Sequence, residues 1–262
     1  MKRNTALFFD IDGTLCDPKT GKIPSSAINE IQKLRDDGYY CCLATGRCKN
    51  DALRYDPGKY SWDGIIAANG QEVYGKEDEC IRAVSLDKEM VDKVLQVSKR
   101  NNQTLCLVTD EKWIRVGDIN DNVRIAYELF SSEIDAAEEY TDQHVIYIIV
   151  FGDTEDSYKD YEALGLKAAT SYYHYADLVL PGFDKAQGIQ TYLKHEGIEK
   201  YYAFGDSGND LEMLQHATKA IVMGNGDQNL FQYADEIAPP VDQDGLAHIL
   251  HKIHEELKKE ES

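Results

Sequence analysis

Residues 8–15 read FFDIDGTL, and this stretch predicts both the fold and the place of a functional site. Residues 6–9 are all apolar, as is typical of a strand buried in a parallel sheet. Two acids, Asp10 and Asp12, follow directly, at the end of the strand where ligands collect in open α/β sheets. Alternate residues of an extended chain point the same way, so both carboxylates can converge on one place, and Gly13 allows a sharp turn. We therefore expect a site at the carboxyl end of the first strand.

The acidic pair indicates a metal ion, because two carboxylates in one small volume repel each other unless a proton or a cation joins them. Mg²⁺ is a hard ion that prefers oxygen ligands. A second acidic group lies at residues 204–210, which read FGDSGND between an apolar strand and a helix. Asp206 or Asp210 alone could be a helix cap, since helix N-termini favour negative charge. Together with the first acidic pair, the arrangement favours a metal site.

Two further elements are suited to a phosphate group. Residues 43–47 read LATGR at the end of a second predicted strand, where the Thr45 hydroxyl and the Gly46 N–H can meet phosphate oxygens. Lys185 follows the sequence PGFD at residues 181–184 and precedes a helix. Each signal is weak alone, because Ser/Thr-Gly after a strand is common and most lysines are solvated surface charges.

Strands and helices alternate in the first and last thirds of the chain, which predicts a parallel sheet covered on both faces. The middle third instead shows an amphipathic helix, a hairpin with its turn at residues 110–111, and several strand-like runs. We therefore predict an α/β protein. Residues 1–83 and 183–262 would form a Rossmann-like core, and residues 84–182 an inserted α+β domain.

The composition excludes several classes of protein. The 262 residues contain 47 Asp and Glu against 28 Lys and Arg, a formal net charge of −19. So acidic a chain is unsuited to nucleic acids, whose binding depends on many Lys and Arg contacts to phosphates, and to anionic membrane surfaces. The sequence predicts no signal peptide and no membrane span. The six cysteines include no CxxC pair, so we expect reduced thiols in the cytoplasm.

The four elements together resemble the motifs of the haloacid dehalogenase superfamily. The sequence DIDGTL at residues 10–15, then Thr45, Lys185 and the sequence GDSGND at residues 205–210 follow the order of that family. The large insertion between the second and third motifs is similar to that of Cof-type phosphatases, which carry a C2-type cap. Many relatives place a glycine directly after the lysine, whereas here Gly188 follows within the first helical turn.

The resemblance implies phosphoryl transfer through an aspartyl-phosphate. Asp10 would be the nucleophile, and Asp12 would protonate the leaving alcohol and then take a proton from the attacking water. Mg²⁺ would be held by the side chains of Asp10 and Asp206 and by the backbone carbonyl of Asp12. Thr45 and Gly46 would bind the phosphoryl oxygens.

The resemblance also implies supporting roles. Lys185 would bind the substrate and neutralise charge on the transferred phosphoryl group. Asn209 and Asp210 would orient the metal-bound waters and Lys185, and Asn209 is also predicted to contact the substrate. Arg47 could add positive charge at the site, or it could form a salt bridge with a surface acid.

The inserted domain would close over the site and select the substrate, as C2-type caps do. Trp113, Arg115 and the cluster at residues 172–175 are candidate substrate contacts, although aromatics are also ordinary half-buried strand residues. The resemblance implies a Mg²⁺-dependent phosphatase of small phosphorylated metabolites, with sugar phosphates favoured. We expect a monomer or a weak homo-oligomer.

Three alternatives remain open from the sequence. A phosphomutase uses similar core motifs and passes the phosphoryl group to a second substrate hydroxyl. A receiver-type signalling domain also clusters acids with a Thr and a Lys, but it has no insertion of this size. A sugar-phosphate sensor would bind without turnover, which the presence of every catalytic group opposes.

Overall fold

A computed structural model of the chain describes residues 4–54, 56–109, 112–129, 134, 136–152, 154–170 and 174–260. The predicted turn at residues 110–111 lies outside these ranges, as do residues 172–173 of the predicted aromatic cluster. Contacts divide the chain into two compact units, one formed by Met1–Arg82 with Asp184–Ser262 and the other by Ala83–Phe183.

The secondary structure is a mixture of strands and helices along the whole chain. The strands are β1 (Thr5–Phe9), β2 (Tyr40–Ala44), β3 (Gly64–Ala67), β4 (Glu72–Tyr74), β5 (Cys80–Ala83), β6 (Leu105–Thr109), β7 (Trp113–Val116), β8 (Val145–Phe151), β9 (Lys167–Thr170), β10 (Tyr175–Val179), β11 (Lys200–Gly205), β12 (Lys219–Met223) and β13 (Glu236–Ala238). The helices are α1 (Ser25–Asp36), α2 (Lys49–Arg54), α3 (Lys88–Asn101), α4 (Asp121–Leu129), α5 (Lys159–Glu162), α6 (Lys185–Glu196), α7 (Leu211–Gln215) and α8 (Gly245–Glu260).

The first unit is built on an eight-stranded sheet with the order β13-β12-β11-β1-β2-β3-β4-β5. The strands from β13 to β3 pair in parallel, and β4 runs antiparallel to β3. Phe9, the last residue of β1, lies opposite Leu43 of β2 and Phe204 of β11. Because parallel strands end at the same edge, the residues that follow β1, β2 and β11 are brought together.

Both faces of this sheet are covered, which explains why β1 is apolar at every position. Leu7 and Phe9 pack with residues of α1 and α8 on one face. Phe8 belongs to the core on the other face, where its ring lies edge-on to Tyr192 and Tyr201 with ring centroids 5.7 and 5.8 Å away. The predicted parallel α/β sheet is confirmed.

The second unit contains a five-stranded antiparallel sheet with the order β7-β6-β8-β10-β9. Its main core joins the sheet to α3 and α5, with Val94 and Tyr161 packed among residues such as Ile148. Tyr127 of α4 stacks on Phe151 at 6.0 Å between ring centroids. An inserted α+β fold, as predicted, is therefore present.

The short strands β4, β5 and β13 have no counterpart in the sequence-based interpretation. Each has three or four residues, too few for an alternating pattern to be recognised. Within the described part of the chain, no helix combines the length and the apolar character needed to cross a membrane.

Candidate active site

The adjacent ends of β1 and β11 bring three acids together. The N–H of Asp10 donates a hydrogen bond to the Phe204 carbonyl at 2.9 Å. Asp10, the first residue after β1, therefore lies beside the last residues of β11. Asp10, Asp206 and Asp210 each offer a carboxylate oxygen, and these oxygens all lie within 4.8 Å of one another. These acids come from two stretches of chain almost two hundred residues apart, and the parallel sheet is what joins them.

Lys185 is the cation of this cluster. As the first residue of α6 it is fully buried, and its Nζ donates to Asp10 Oδ1 and to Asp210 Oδ1, each at 2.6 Å. Burial alone would lower the pKa of Lys185, but the charges of Asp10 and Asp210 outweigh it and raise the pKa above its ordinary value. Lys185 is therefore a permanent positive charge beside Asp10.

Asp210 is held entirely by N–H donors. Its Oδ1 accepts from Lys185, while its Oδ2 accepts from the backbone N–H groups of Asp206 and Ser207 at 2.9 and 3.0 Å. These bonds fix the loop that follows β11 and aim Lys185. Asp210 thus accepts three hydrogen bonds, whereas the carboxylates of Asp10 and Asp206 accept one each and have more acceptor sites left for a metal.

The electrostatics of Asp10 and Asp206 favour a bound cation. Burial raises the pKa of Asp10 to about 7, against the lowering effect of Lys185 and with the help of Asp210 and Asp12. Burial together with the charges of Asp10 and Asp210 raises the pKa of Asp206 to about 9. Acids so crowded need a proton or a cation between them, and their oxygen donors fit a hard divalent ion such as Mg²⁺.

Gly13 makes the close approach of Asp206 possible. Its φ is +89°, and a Cβ added there would lie 2.4 Å from Asp206 Oδ2, well inside van der Waals contact. Thr14, the next residue, donates its hydroxyl to Asp206 Oδ1 at 3.1 Å. The Asp206 carboxylate, from the loop after β11, therefore packs against the turn that follows β1.

Asp12 lies at the site's exposed side and pairs with Arg47. The Asp12 carboxylate accepts two bonds, from Arg47 Nε at 2.8 Å and from Nη2 at 2.7 Å, in a bidentate arrangement. Alternation along a strand, from which Asp10 and Asp12 were expected to point the same way, is the wrong reason, because β1 ends at Phe9 and Asp12 lies in the turn beyond it. Arg47 thus forms a salt bridge with Asp12, and its Nη1 also lies 3.8 Å from Asp51 Oδ2.

Thr45 and Gly46 follow β2 at the same edge of the sheet. Thr45 is buried, its N–H donates to the Ile66 carbonyl, and its hydroxyl oxygen accepts from the Arg47 N–H at 3.1 Å. Within the described ranges, no group accepts a hydrogen bond from the Gly46 N–H. This donor is suited to a phosphate oxygen.

Sequence reasoning missed Asn69. The side chain of Asn69 is buried beside Gly46, and its Oδ1 accepts from Asn209 Nδ2 at 3.3 Å. The only signal was an Asn-Gly turn after β3, which occurs in many loops with no functional role.

In the second unit, the candidate substrate contacts are engaged within the unit. Trp113 packs edge-on against Tyr127, with ring centroids 6.4 Å apart. Arg115 is buried and bonds to the Gly117 carbonyl. His174 Nδ1 lies 2.9 Å from Asn122 Oδ1.

Comparison with known proteins agrees with this geometry. The sequence model of the haloacid dehalogenase-like hydrolase family matches residues 7–250 of this chain. A 5-amino-6-(5-phospho-D-ribitylamino)uracil phosphatase, YitU of Bacillus subtilis (strain 168), is 28% identical over 258 residues, covering 92% of this chain and 94% of YitU. An HMP-PP phosphatase of Enterobacter sp. (strain 638) is 27% identical over 227 residues and 83% of each chain.

Among solved structures, the HAD subclass IIB sugar phosphatase BT4131 is similar with a TM-score of 0.81 and 27% identity, covering 95% of this chain and 99% of BT4131. The family match spans nearly the whole chain, and the motif residues that carried the resemblance all lie within it. The chain therefore belongs to the haloacid dehalogenase-like hydrolases and is an enzyme of their phosphatase type.

Proposed function

We propose that this enzyme is a Mg²⁺-dependent phosphatase that prefers sugar phosphates and works through an aspartyl-phosphate on Asp10. The observation that carries the proposal is the cluster of Asp10, Asp206 and Lys185 at the sheet edge where Gly46 follows the neighbouring strand β2, its N–H without an acceptor in the described ranges. A nucleophilic carboxylate, a cation and phosphate-binding donors are the groups that phosphoryl transfer to an acid requires. Relatives named as phosphatases of small phosphorylated compounds support the substrate class.

The first half of the reaction transfers the phosphoryl group to the protein. An oxygen of Asp10 attacks phosphorus in line with the ester oxygen, and the bond between phosphorus and that oxygen breaks. Asp12 gives its proton to the departing alkoxide, which leaves as an alcohol. Lys185 neutralises charge on the transferred group, and the Thr45 hydroxyl and Gly46 N–H hold its oxygens.

The second half releases inorganic phosphate. A water molecule attacks phosphorus of the aspartyl-phosphate and gives a proton to Asp12, and the carboxylate of Asp10 leaves. Asp210 keeps Lys185 and the loop that carries Asp206 in place through its bonds to N–H donors. Asn209, which donates to Asn69, would contact the substrate.

Mg²⁺ would be held by Asp10, Asp206 and the Asp12 carbonyl. When bound, it supplies positive charge that neutralises the phosphoryl oxygens and the crowded carboxylates. With this ligand set the Asp12 carboxyl is not a metal ligand, and it would transfer the proton once its bonds to Arg47 are released. We further propose that residues 1–83 and 183–262 form the catalytic core and residues 84–182 a cap that selects the substrate.

Replacing Asp206 with alanine tests the ligand assignment. We expect the Mg²⁺ concentration for half-maximal activity to rise by more than about tenfold, because one of two side-chain ligands is lost. Phosphate release is measured at a series of Mg²⁺ concentrations. Asp235→Ala, which removes an acid bonded to the backbone near β12, is the control and should leave the Mg²⁺ dependence as it is. An unchanged dependence in Asp206→Ala would contradict the assignment.

Replacing Asp12 with asparagine tests the proposed proton donor. Hydrolysis of an alkyl phosphate, whose leaving group needs a proton, should fall about 100-fold or more. The rate of phosphoryl transfer from an aryl phosphate such as p-nitrophenyl phosphate, whose phenolate leaves easily, should fall much less. Single-turnover measurements isolate that step. Equal losses for both substrates would remove Asp12 from the role of general acid.

The proposed function is tested by screening phosphorylated metabolites for release of inorganic phosphate, with Mg²⁺ and with a chelator. We expect Mg²⁺-dependent release, greatest with sugar phosphates. Isomerised sugar phosphate without phosphate release would instead indicate a mutase. Binding without either product would contradict an enzymatic role.

A further inference from the structure

The segment after β3 has an unusual backbone. Ala68, Asn69 and Gly70 have φ values of +48°, +50° and +89°, three consecutive residues in the left-handed region. This conformation is unfavourable for alanine and tolerated by asparagine. Strain of this kind persists only where the surrounding structure imposes it, and it is concentrated at functional sites.

The surroundings of this segment belong to two of the motifs. The N–H of Ala68 donates to the Arg47 carbonyl at 2.8 Å, and the N–H of Asn69 donates to the Thr45 carbonyl at 3.2 Å. A Cβ on Gly70 would lie only 2.1 Å from the Asp184 carbonyl, at the start of α6. The segment is thus wedged between the loop after β2 and the helix that begins with Lys185.

The Asn69 side chain reaches a third motif. It is 4% exposed, and its Oδ1 accepts from Asn209 Nδ2 in the loop after β11. A Cβ built on Gly46 would lie 3.3 Å from Asn69 Oδ1 and 3.3 Å from Asn209 Nδ2. The two amides therefore lie against Gly46, whose N–H is the phosphate donor in the mechanism above.

We propose that Asn69 is a positioning residue that holds Gly46 and Asn209 in the geometry that binds the phosphoryl group. This inference rests on the proposed function, since it concerns binding at the same site. Asparagine suits the position for two reasons: it accepts the left-handed backbone, and its carboxamide accepts the bond from Asn209. Asn69 acts through these two residues and takes no part in proton or phosphoryl transfer.

Two variants separate the side chain from the backbone. Asn69→Gly keeps the left-handed turn, because glycine adopts it without strain, but removes the amide. Asn69→Asp keeps the shape and the acceptor for Asn209, but brings a negative charge next to the phosphate site.

The variants are compared with the wild type in kcat and KM for p-nitrophenyl phosphate and in the binding of inorganic phosphate with Mg²⁺ present. We expect KM and the Kd for phosphate to rise about tenfold in Asn69→Gly, the effect of one hydrogen bond, and further in Asn69→Asp. Because Gly46 contacts the phosphoryl oxygens before and during transfer, kcat should change less than KM. The melting temperature of Asn69→Gly should stay close to that of the wild type.

Asn102 provides the matched control. It is also a left-handed asparagine, with φ +52°, but it lies at the end of α3 in the other unit. Asn102→Gly and Asn102→Asp should leave KM and phosphate binding unchanged.

Wild-type KM and phosphate Kd in both Asn69 variants would overturn the inference, as would a lower melting temperature with both constants unchanged. Calorimetric titration with inorganic phosphate tests the inference without turnover. A wild type that binds phosphate but releases none from any ester would refute the proposed function only.

Discussion

Replacing Lys185 with methionine is expected to lower the free energy of unfolding by about 3–5 kcal/mol and to abolish phosphate release. Methionine fills a similar volume but brings no charge. Asp10 and Asp210, each 2.6 Å from Nζ, would then be buried carboxylates without their cation. Urea unfolding in the presence of a chelator, at mildly alkaline pH, measures the effect, because a bound metal would otherwise replace part of the lost charge.

Lys219 offers a matched control for this substitution. Its Nζ also lies between two carboxylates, 2.5 Å from Glu236 and 2.6 Å from Glu256, but the group is partly exposed to solvent. Water screens such pairs, so Lys219→Met should cost at most about 1 kcal/mol and leave activity intact. If the two variants lost similar unfolding free energy, burial would not be the reason that Lys185 stabilises the protein.

Replacing Asp10 with asparagine is expected to lower phosphate release by about a thousandfold or more, because an amide cannot form the aspartyl-phosphate. The fold should survive. Asparagine keeps an oxygen that can accept from Lys185, and Lys185 keeps its bond to Asp210. Removing one carboxylate also relieves the repulsion that raises the pKa of Asp206. The metal-free melting temperature of Asp10→Asn should therefore equal or exceed that of the wild type.

The measurements are phosphate release from p-nitrophenyl phosphate and thermal unfolding with a chelator present. Asp36→Asn, at an exposed acid at the end of α1, is the control and should behave as the wild type in both. Activity within about tenfold of the wild type would remove Asp10 as the nucleophile. A melting temperature well below the wild type would show that the Asp10 charge stabilises the metal-free protein.

The arrangement of the acids could be predicted from the sequence only in part. The approach of residues 10 and 206 was predictable, because both follow apolar strands and parallel strands end at one edge. The residue pattern alone left Asp206 and Asp210 both open to a role as helix caps, and their separate roles came only from the family resemblance. The structure shows that Asp210 accepts bonds from Lys185 and from two backbone N–H groups.

Arg47 and Asn69 show the same limit over longer distances. Arg47 could have paired with any acid, and its bidentate bond to Asp12 joins residues 35 positions apart. Asn69 contacts Asn209 across 140 positions, and the Asn-Gly turn that contains it looks ordinary in sequence. No local pattern records such contacts, because they depend on which loops meet at the edge of the sheet.

The sequence alone therefore determined the parallel sheet, the inserted α+β fold and the four motif stretches of the family. It could do so because burial of apolar strands and the residue types at their ends are local properties. The tertiary structure decided which carboxylate oxygens already accept hydrogen bonds, which partner each charged side chain has, and how Asn69 contacts the loops after β2 and β11. Those features depend on directions of side chains in a buried site, where a few tenths of an ångström separate a hydrogen bond from a clash.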